Sequence, residues 1–224
     1  RVQSQSLIPV ERYVFNSVFV TAASTGGYIL LASMAGYAMA KLRFPGKTII
    51  NRVIVFAILF RPEVTALPQY MLMAKTGMLD TFWALILPLA VSSFNIIVCK
   101  SFFRSTIPDA IIESAKIDGA AQLRIFGQIV LPISKPVLAT IALFLVFGYW
   151  NDWVQSSLYI TNTRLLSLQA LLNNMMRNLE YIANNPTVGV SLQQYRNSMP
   201  SESVRMAIAV VIVIPIACAY PFFQ

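Results

Sequence analysis

Apolar runs long enough to cross a bilayer, separated by basic loops, constrain this chain more than any other feature. A hydrocarbon core about 30 Å thick needs roughly 20 apolar residues wound as a helix. Asn16 to Ala40 meets that length, and Gly26, Gly27, Ala32, Ala35 and Gly36 within it offer close helix packing. A second run opens at Ile49 to Phe60, breaks near Arg61-Pro62 and resumes from Leu67 to Ala74. Thr81 to Phe103, Pro136 to Trp153 and Ser203 to Phe223 supply three more. The expected fold is all-α, a polytopic transmembrane helical bundle with about five spans.

Charge placement agrees with a membrane setting. Only 12% of the 224 residues are charged and 57% are hydrophobic, whereas soluble domains carry about 25% charged residues. A net charge of +8 would suggest nucleic acid for a soluble protein. Here the basic residues gather in two loops, Lys41, Arg43, Lys47 and Arg52 in one and Lys100, Arg104, Lys116, Arg124 and Lys135 in the other. Alternating spans put both loops on one face, and the positive-inside rule makes that face cytoplasmic. Nucleic acid is therefore not an expected partner. The opposite face holds Arg61, Lys75 and the polar stretch Asn151 to Glu202. The chain has no histidine, which excludes imidazole chemistry, and Cys99 and Cys218 sit in separate runs without metal-ligand spacing. It begins at Arg1 rather than Met, and we expect a trimmed chain whose first span precedes Arg1.

Between the third and fourth runs lies a polar, helix-forming hairpin. Thr106 is placed to cap a helix through Pro108, Asp109, Glu113 and Ala115, with Asp109 complementing the helix dipole. Gly119 suits the left-handed turn that ends it. A second helix is expected from Ala120 towards Val130, with Pro132 stopping it before the fourth run. Ala115 and Gly119 form a small-residue face, and Glu113 is a carboxylate open to a partner arginine. On helix pattern alone, an amphipathic hairpin lying on the membrane surface is the commoner reading. The register of Glu113-Ser114-Ala115, Gly119, Ile129, Leu131 and Pro132 favours a docking element.

That register resembles the signature E-A-A-x3-G-x9-I-x-L-P of type I ABC importer permeases, with Ser114 as the one departure. The strings "AKIDGA", "LPISKPVLAT" and "WNDW" resemble permeases of the carbohydrate-uptake class. The likeness extends to "YAMAKLRFPGK", "GMLDTFWALILP", "LSLQALLNN" and "MPSESVRMA", and points to permeases for longer saccharides. It implies one transmembrane permease domain over residues 1–224, with a cytoplasmic coupling hairpin at 104–135 and an outer loop at 154–202. Glu113, Ser114, Ala115, Asp118, Gly119, Ile129, Leu131 and Pro132 would dock on an ABC ATPase dimer. The other implied partners are a second permease subunit, a solute-binding protein, a saccharide and the lipid bilayer. The implied location is the bacterial inner membrane. No cofactor is expected in this chain, since ATP and Mg would sit on the ATPase subunits.

The remaining motifs carry less. Gly46-Lys47-Thr48 echoes the end of a phosphate-binding loop, but Lys41 stands where that loop needs glycine. Asp80, Glu113, Asp118, Asp152 and Glu202 fall at run ends or in loops, which disfavours a proton-coupled transporter; Glu63 beside Arg61 is the ambiguous pair. Tyr149, Trp150, Asn151, Asp152 and Trp153 fit an interfacial aromatic belt or the outer mouth of a sugar path. Asn95 fits the same path or a helix-packing hydrogen bond. The outer loop shows a helical pattern from Leu165 to Met176, which suits contact with a solute-binding protein or a surface-lying helix. Two alternatives stay open: an ABC permease for a non-sugar solute, and a secondary transporter or channel subunit. No nucleophile, base or metal constellation supports a membrane enzyme.

Overall fold

The computed structural model describes residues 9–60, 62–90 and 92–184, together with positions 206, 210 and 213. Apart from those three positions, the run Ser203 to Phe223 lies outside the described residues, as do Arg61, Glu202 and Cys218. Among the described residues every regular element is helical. α1 (Val10–Lys41) carries the first run, with Glu11 in its first turn and Lys41 in its last, as the helix dipole prefers. It is the one described helix long and apolar enough to cross a membrane unaided.

The second run divides where its proline lies. α2 (Lys47–Ala57) stops short of Arg61-Pro62, and α3 (Pro62–Lys75) starts at Pro62 rather than at the expected Leu67. Proline lacks an N–H that the first helical position would leave unpaired anyway. The third run, expected as one span over Thr81 to Phe103, is two helices. α4 (Phe82–Ile86) tightens into a 3-10 turn at Leu87–Leu89, and α5 (Ser93–Thr106) starts afresh beyond an extended Ser92. Pro88 in that turn cannot donate to a continuing ladder. The hairpin follows as α6 (Asp109–Ile117), α7 (Gln122–Ile125), a π-helical stretch over Phe126–Val130 and α8 (Leu131–Ile133). α9 (Lys135–Trp150) turns away from the Gln122–Ile133 segment by 79°. α10 (Val154–Tyr159) and α11 (Leu168–Asn184) complete the described chain.

The chain divides into two compact units. Ala22–Met78 with Ile86–Val146 form one, which contains the hairpin. Its core is built from Tyr28, Ala32 and Tyr37 of α1, Ile96, Cys99 and Phe103 of α5, and the inward residues of the hairpin. Gly36 sets the spacing of α1 and α5. A Cβ there would lie 2.6 Å from the Cys99 Cβ and 3.1 Å from the Lys100 backbone nitrogen. Backbone contact this close needs glycine. Gly26 and Gly27, by contrast, have open space around them among the described residues, so no described helix uses that part of the expected small-residue packing.

The other unit comprises the chain up to Thr21, Leu79–Leu85 and the residues from Phe147. The Asn16 amide donates to the Arg164 and Leu166 carbonyls at 2.9 and 3.1 Å, and the Leu168 N–H donates to Ser17 Oγ at 2.8 Å. These bonds hold the start of α11 against α1. α11 begins at Leu168, three residues after the expected Leu165, because Thr163–Leu165 winds as a 3-10 turn capped by Asn162. Asp80, at φ 58°, accepts from the Thr161 N–H at 2.5 Å, the Asn162 N–H at 2.8 Å and the Thr161 hydroxyl. These bonds, led by the hydroxyl, hold its carboxyl below the usual carboxylate range.

Two outcomes test this packing. Gly36→Ala should lower thermal stability by about 1–3 kcal/mol, the usual effect of overpacking. Cys99→Ala should not rescue it, because the clash is with the Cβ and backbone atoms that alanine keeps; melting curves of the purified protein decide. The depressed Asp80 carboxyl stabilises its loop above the ordinary carboxylate pKa of about 4. That contribution is lost as pH falls through the lower folded-state value. Amide exchange at Thr161 and Asn162 should therefore accelerate only in strong acid beyond its intrinsic pH trend, and Asp80→Asn should show the acid-state exchange at neutral pH.

Candidate functional site

The hairpin turns out of α5 through an elbow of two extended residues. Ile107 has φ −101° and ψ 110°, and Pro108 has φ −60° and ψ 138° at the N-cap position of α6. Proline disfavours a helical conformation for the residue before it. Thr106 thus ends α5 instead of capping α6, and no side chain caps α6. Asp109 still occupies the first turn, as expected from the dipole.

α6 closes as the sequence requires. Gly119 has φ 77°, its N–H donates to the Lys116 carbonyl, and the Ala120 N–H donates to the Ala115 carbonyl, both at 3.0 Å. This pair of bonds is the Schellman motif. Of the signature residues, Glu113, Ser114, Asp118 and Gly119 are exposed. Ala115 is buried in the core of its own unit with Ile112, so the expected small-residue face of Ala115 and Gly119 is only half available. Ile129 and Leu131 are half-buried against the same core, and Pro132 is exposed.

Pro132 does not stop the second limb. Its ring crowds the carbonyl four residues back and it supplies no N–H. The chain widens into π-helix over Phe126–Val130 and stays helical through Ile133. The break comes at Ser134, whose buried hydroxyl donates to the Val130 carbonyl at 2.7 Å.

α1 grips both limbs. The Lys41 ammonium donates to the Ile107 carbonyl at 2.5 Å and to Asp109 Oδ1 at 2.7 Å. The Lys41 side chain is only 4% exposed and that of Asp109 is 78% exposed. The Lys41 hydrogen bond and charge hold the Asp109 carboxyl below its ordinary range. One turn earlier, the Tyr37 hydroxyl donates to Gln122 Oε1 at 2.9 Å, and its ring lies 5.5 Å from that of Phe126. Sequence reading missed both anchors, since Lys41 looked like a topology charge and Tyr37 like one more apolar residue. It also missed Ile117 and Leu123, which are 86% and 72% exposed at the tip of the hairpin. Apolar side chains this exposed beside Glu113 and Arg124 make a surface suited to a protein partner.

The residues considered for a solute path separate. Asn95 donates to the Tyr28 hydroxyl at 2.9 Å, the helix-packing geometry. Tyr149 and Trp150 are buried, Trp150 against Tyr13 and Leu168. Asp152 Oδ1 accepts from the Val154 and Gln155 N–H groups at 2.9 and 3.2 Å and thereby caps α10. Asn151 and Trp153 are exposed, and the Arg177 guanidinium lies 5.7 Å from the centre of the Trp153 ring. Among the described residues no cluster of His, Cys, Asp or Glu is arranged to hold a metal.

Comparison with known proteins gives these features a family. Residues 18–224 match the family described as the binding-protein-dependent transport system inner membrane component. The chain is 36% identical over 209 residues to Protein LplC of Bacillus subtilis, covering 93% of this chain and 68% of that one. It is 35% identical over 223 residues to the polygalacturonan/rhamnogalacturonan transport system permease protein YtcP of the same organism, covering 95% and 76%. A chain from the crystal structure of a bacterial ABC transporter involved in the import of the acidic polysaccharide alginate superposes with a TM-score of 0.80 at 27% identity, covering 96% and 74%. The chain therefore belongs to the family of binding-protein-dependent transport system inner membrane components, and is a polytopic, non-enzymatic permease subunit of an ABC transporter.

Proposed function

We propose that this chain forms part of the translocation path of an ATP-driven importer for oligo- or polysaccharide and takes its motion from ATPase subunits through the Glu113–Pro132 hairpin. One observation carries the coupling role: the hairpin has a free outer surface and a fully committed inner one. Glu113, Ile117 and Leu123 face outward, while Ile112, Ala115, Ile125, Phe126 and Val130 lie in one core with α1 and α5. Force on the outer surface is transmitted because close-packed interiors yield little. ATP binding would close an ATPase dimer beneath the hairpin, and the displacement would pass to the base of α1 through Lys41 and Tyr37. ATP and Mg belong to those subunits, and the chain acts with a second permease subunit and a solute-binding protein. On this reading residues 1–224 are a single permease domain, 104–135 its coupling element and 154–202 its outer loop.

The saccharide assignment rests on the relatives. Polygalacturonan, rhamnogalacturonan and alginate appear in the descriptions of similar proteins, and an acidic polysaccharide such as alginate is the cargo we favour. Asn151 and Trp153 are then the exposed candidates for the path, with an aromatic face for a pyranose ring and an amide for its hydroxyls. Tyr149, Trp150 and Asp152, beside them in sequence, complete the candidate set on that side, and Asn95 remains a separate candidate.

ATP hydrolysis by the assembled complex in lipid, with its binding protein, should rise with acidic oligosaccharides and not with neutral ones. Indifference to every saccharide would remove the cargo assignment and leave the family untouched. Glu113→Lys should leave the chain in the membrane and separate hydrolysis from uptake; full transport by that variant would refute the docking role. Lys41→Met removes the donor that meets both the Ile107 carbonyl and the Asp109 carboxylate. Uptake in vesicles should fall while the chain still reaches the membrane, and unchanged uptake would refute a role for this anchor.

A further inference from the structure

A cavity of about 870 Å³ opens beside the hairpin within the same unit. Six cationic side chains line it: Lys41, Arg43, Lys47, Lys100, Arg104 and Lys116. Asp109 and Glu113 are the only carboxylates in its wall among the described residues. Asp109 is already taken by Lys41. Among the described residues Lys47 and Lys100 reach neutral acceptors, the Leu42 carbonyl at 2.8 Å and the Asn51 side-chain oxygen. Arg43, Arg104 and Lys116 meet no carboxylate in an ion pair among the described residues. Burial and the neighbouring Lys100, Arg104 and Arg43 push the Lys47 ammonium below its ordinary range. Topology accounts for basic residues on this face, but not for their convergence on one concave wall, where like charges repel.

The surroundings say what would relieve that repulsion. α2 starts at the cavity with Lys47, and from Ile49 it presents Ile49, Ile50, Val53 and Phe56 outward. None of its residues is buried. In a membrane component an apolar strip of this kind suits acyl chains, which would place the cavity beside lipid. Basic pockets between helices suit phospholipid headgroups.

We propose that this cavity binds the phosphate headgroup of an anionic phospholipid, with Arg43, Lys47, Lys100 and Arg104 as its ligands and the acyl chains laid along α2. A free phosphate would answer the same charges, but it would make no use of the apolar strip. Bound there, the lipid neutralises the ring of cations around the base of α1 and the hairpin.

The test uses the purified complex carrying this chain. Native mass spectrometry after titration with phosphatidylglycerol or phosphatidylcholine should show retention of the first and not the second. Arg43→Gln with Arg104→Gln should weaken retention roughly tenfold or more, at about 1 kcal/mol per cation, while the paired lysine variant keeps most of it. Unchanged retention by the glutamine variant, or displacement of the lipid by millimolar inorganic phosphate, would overturn the assignment. A phosphatidylglycerol with a photoreactive headgroup decides independently of any variant, using the wild-type complex. Adducts on the peptides holding Arg43, Lys47 and Arg104 support the site, and adducts confined elsewhere refute it.

Discussion

The buried Lys41 ammonium is the interaction on which the hairpin end of this molecule depends. An ammonium drawn almost wholly out of water is costly unless its donors are satisfied. Here the Ile107 carbonyl and the Asp109 carboxylate satisfy them, at the one elbow where α5 gives way to α6. Ile107-Pro108 cannot be helical on steric grounds, so the chain must leave its helix there. Lys41 determines where the exit leads. Tyr37 does the same for the second limb through Gln122 and Phe126. Two side chains one turn apart on α1 thus hold both halves of the hairpin.

The route to that anchor is the close approach of α1 and α5. With Gly36 against Cys99, the two backbones approach more closely than any larger residue allows. The same core then takes in Ile112, Ala115, Ile125, Phe126 and Val130. The hairpin is thus packed on its inner side and free on its outer one, the two conditions that the proposed coupling role requires. The π-helical stretch before Pro132 serves the same end, because it lets the limb run on to Ser134 before the 79° turn into α9.

Much of this was legible in the residues. Gly119 was readable as a left-handed C-terminal cap because only glycine enters that region without steric cost. Asp109 in the first turn and the break before Pro62 followed from the helix dipole and the proline ring. Other readings failed for physical reasons. Thr106 looked like a cap because cap propensity is local, and Pro108 moved the helix start past it. Pro132 looked like a stop because a regular α-helix cannot absorb it, whereas a π-helical turn can. The run Thr81 to Phe103 looked continuous because hydropathy does not register where Pro88 and Ser92 interrupt the backbone. Trp150 was readable as a belt residue or as part of a path because aromatic residues at a run end face either way, and its packing against Tyr13 and Leu168 became visible only in the fold.

By itself the sequence determined the helical class, the basic face, the hairpin and its glycine hinge. All of these depend on composition, period or the conformational limits of single residues, which act over a few positions. Tertiary structure alone decided which side chains the hairpin keeps and which it offers. Lys41 meets Asp109, Tyr37 meets Gln122 and Gly36 meets Cys99 across separations in sequence that no local pattern encodes. The exposure of Ile117 and Leu123, and the convergence of cations on one cavity, follow from those meetings. Burial is a property of the packed whole, so a residue's type alone could not reveal it.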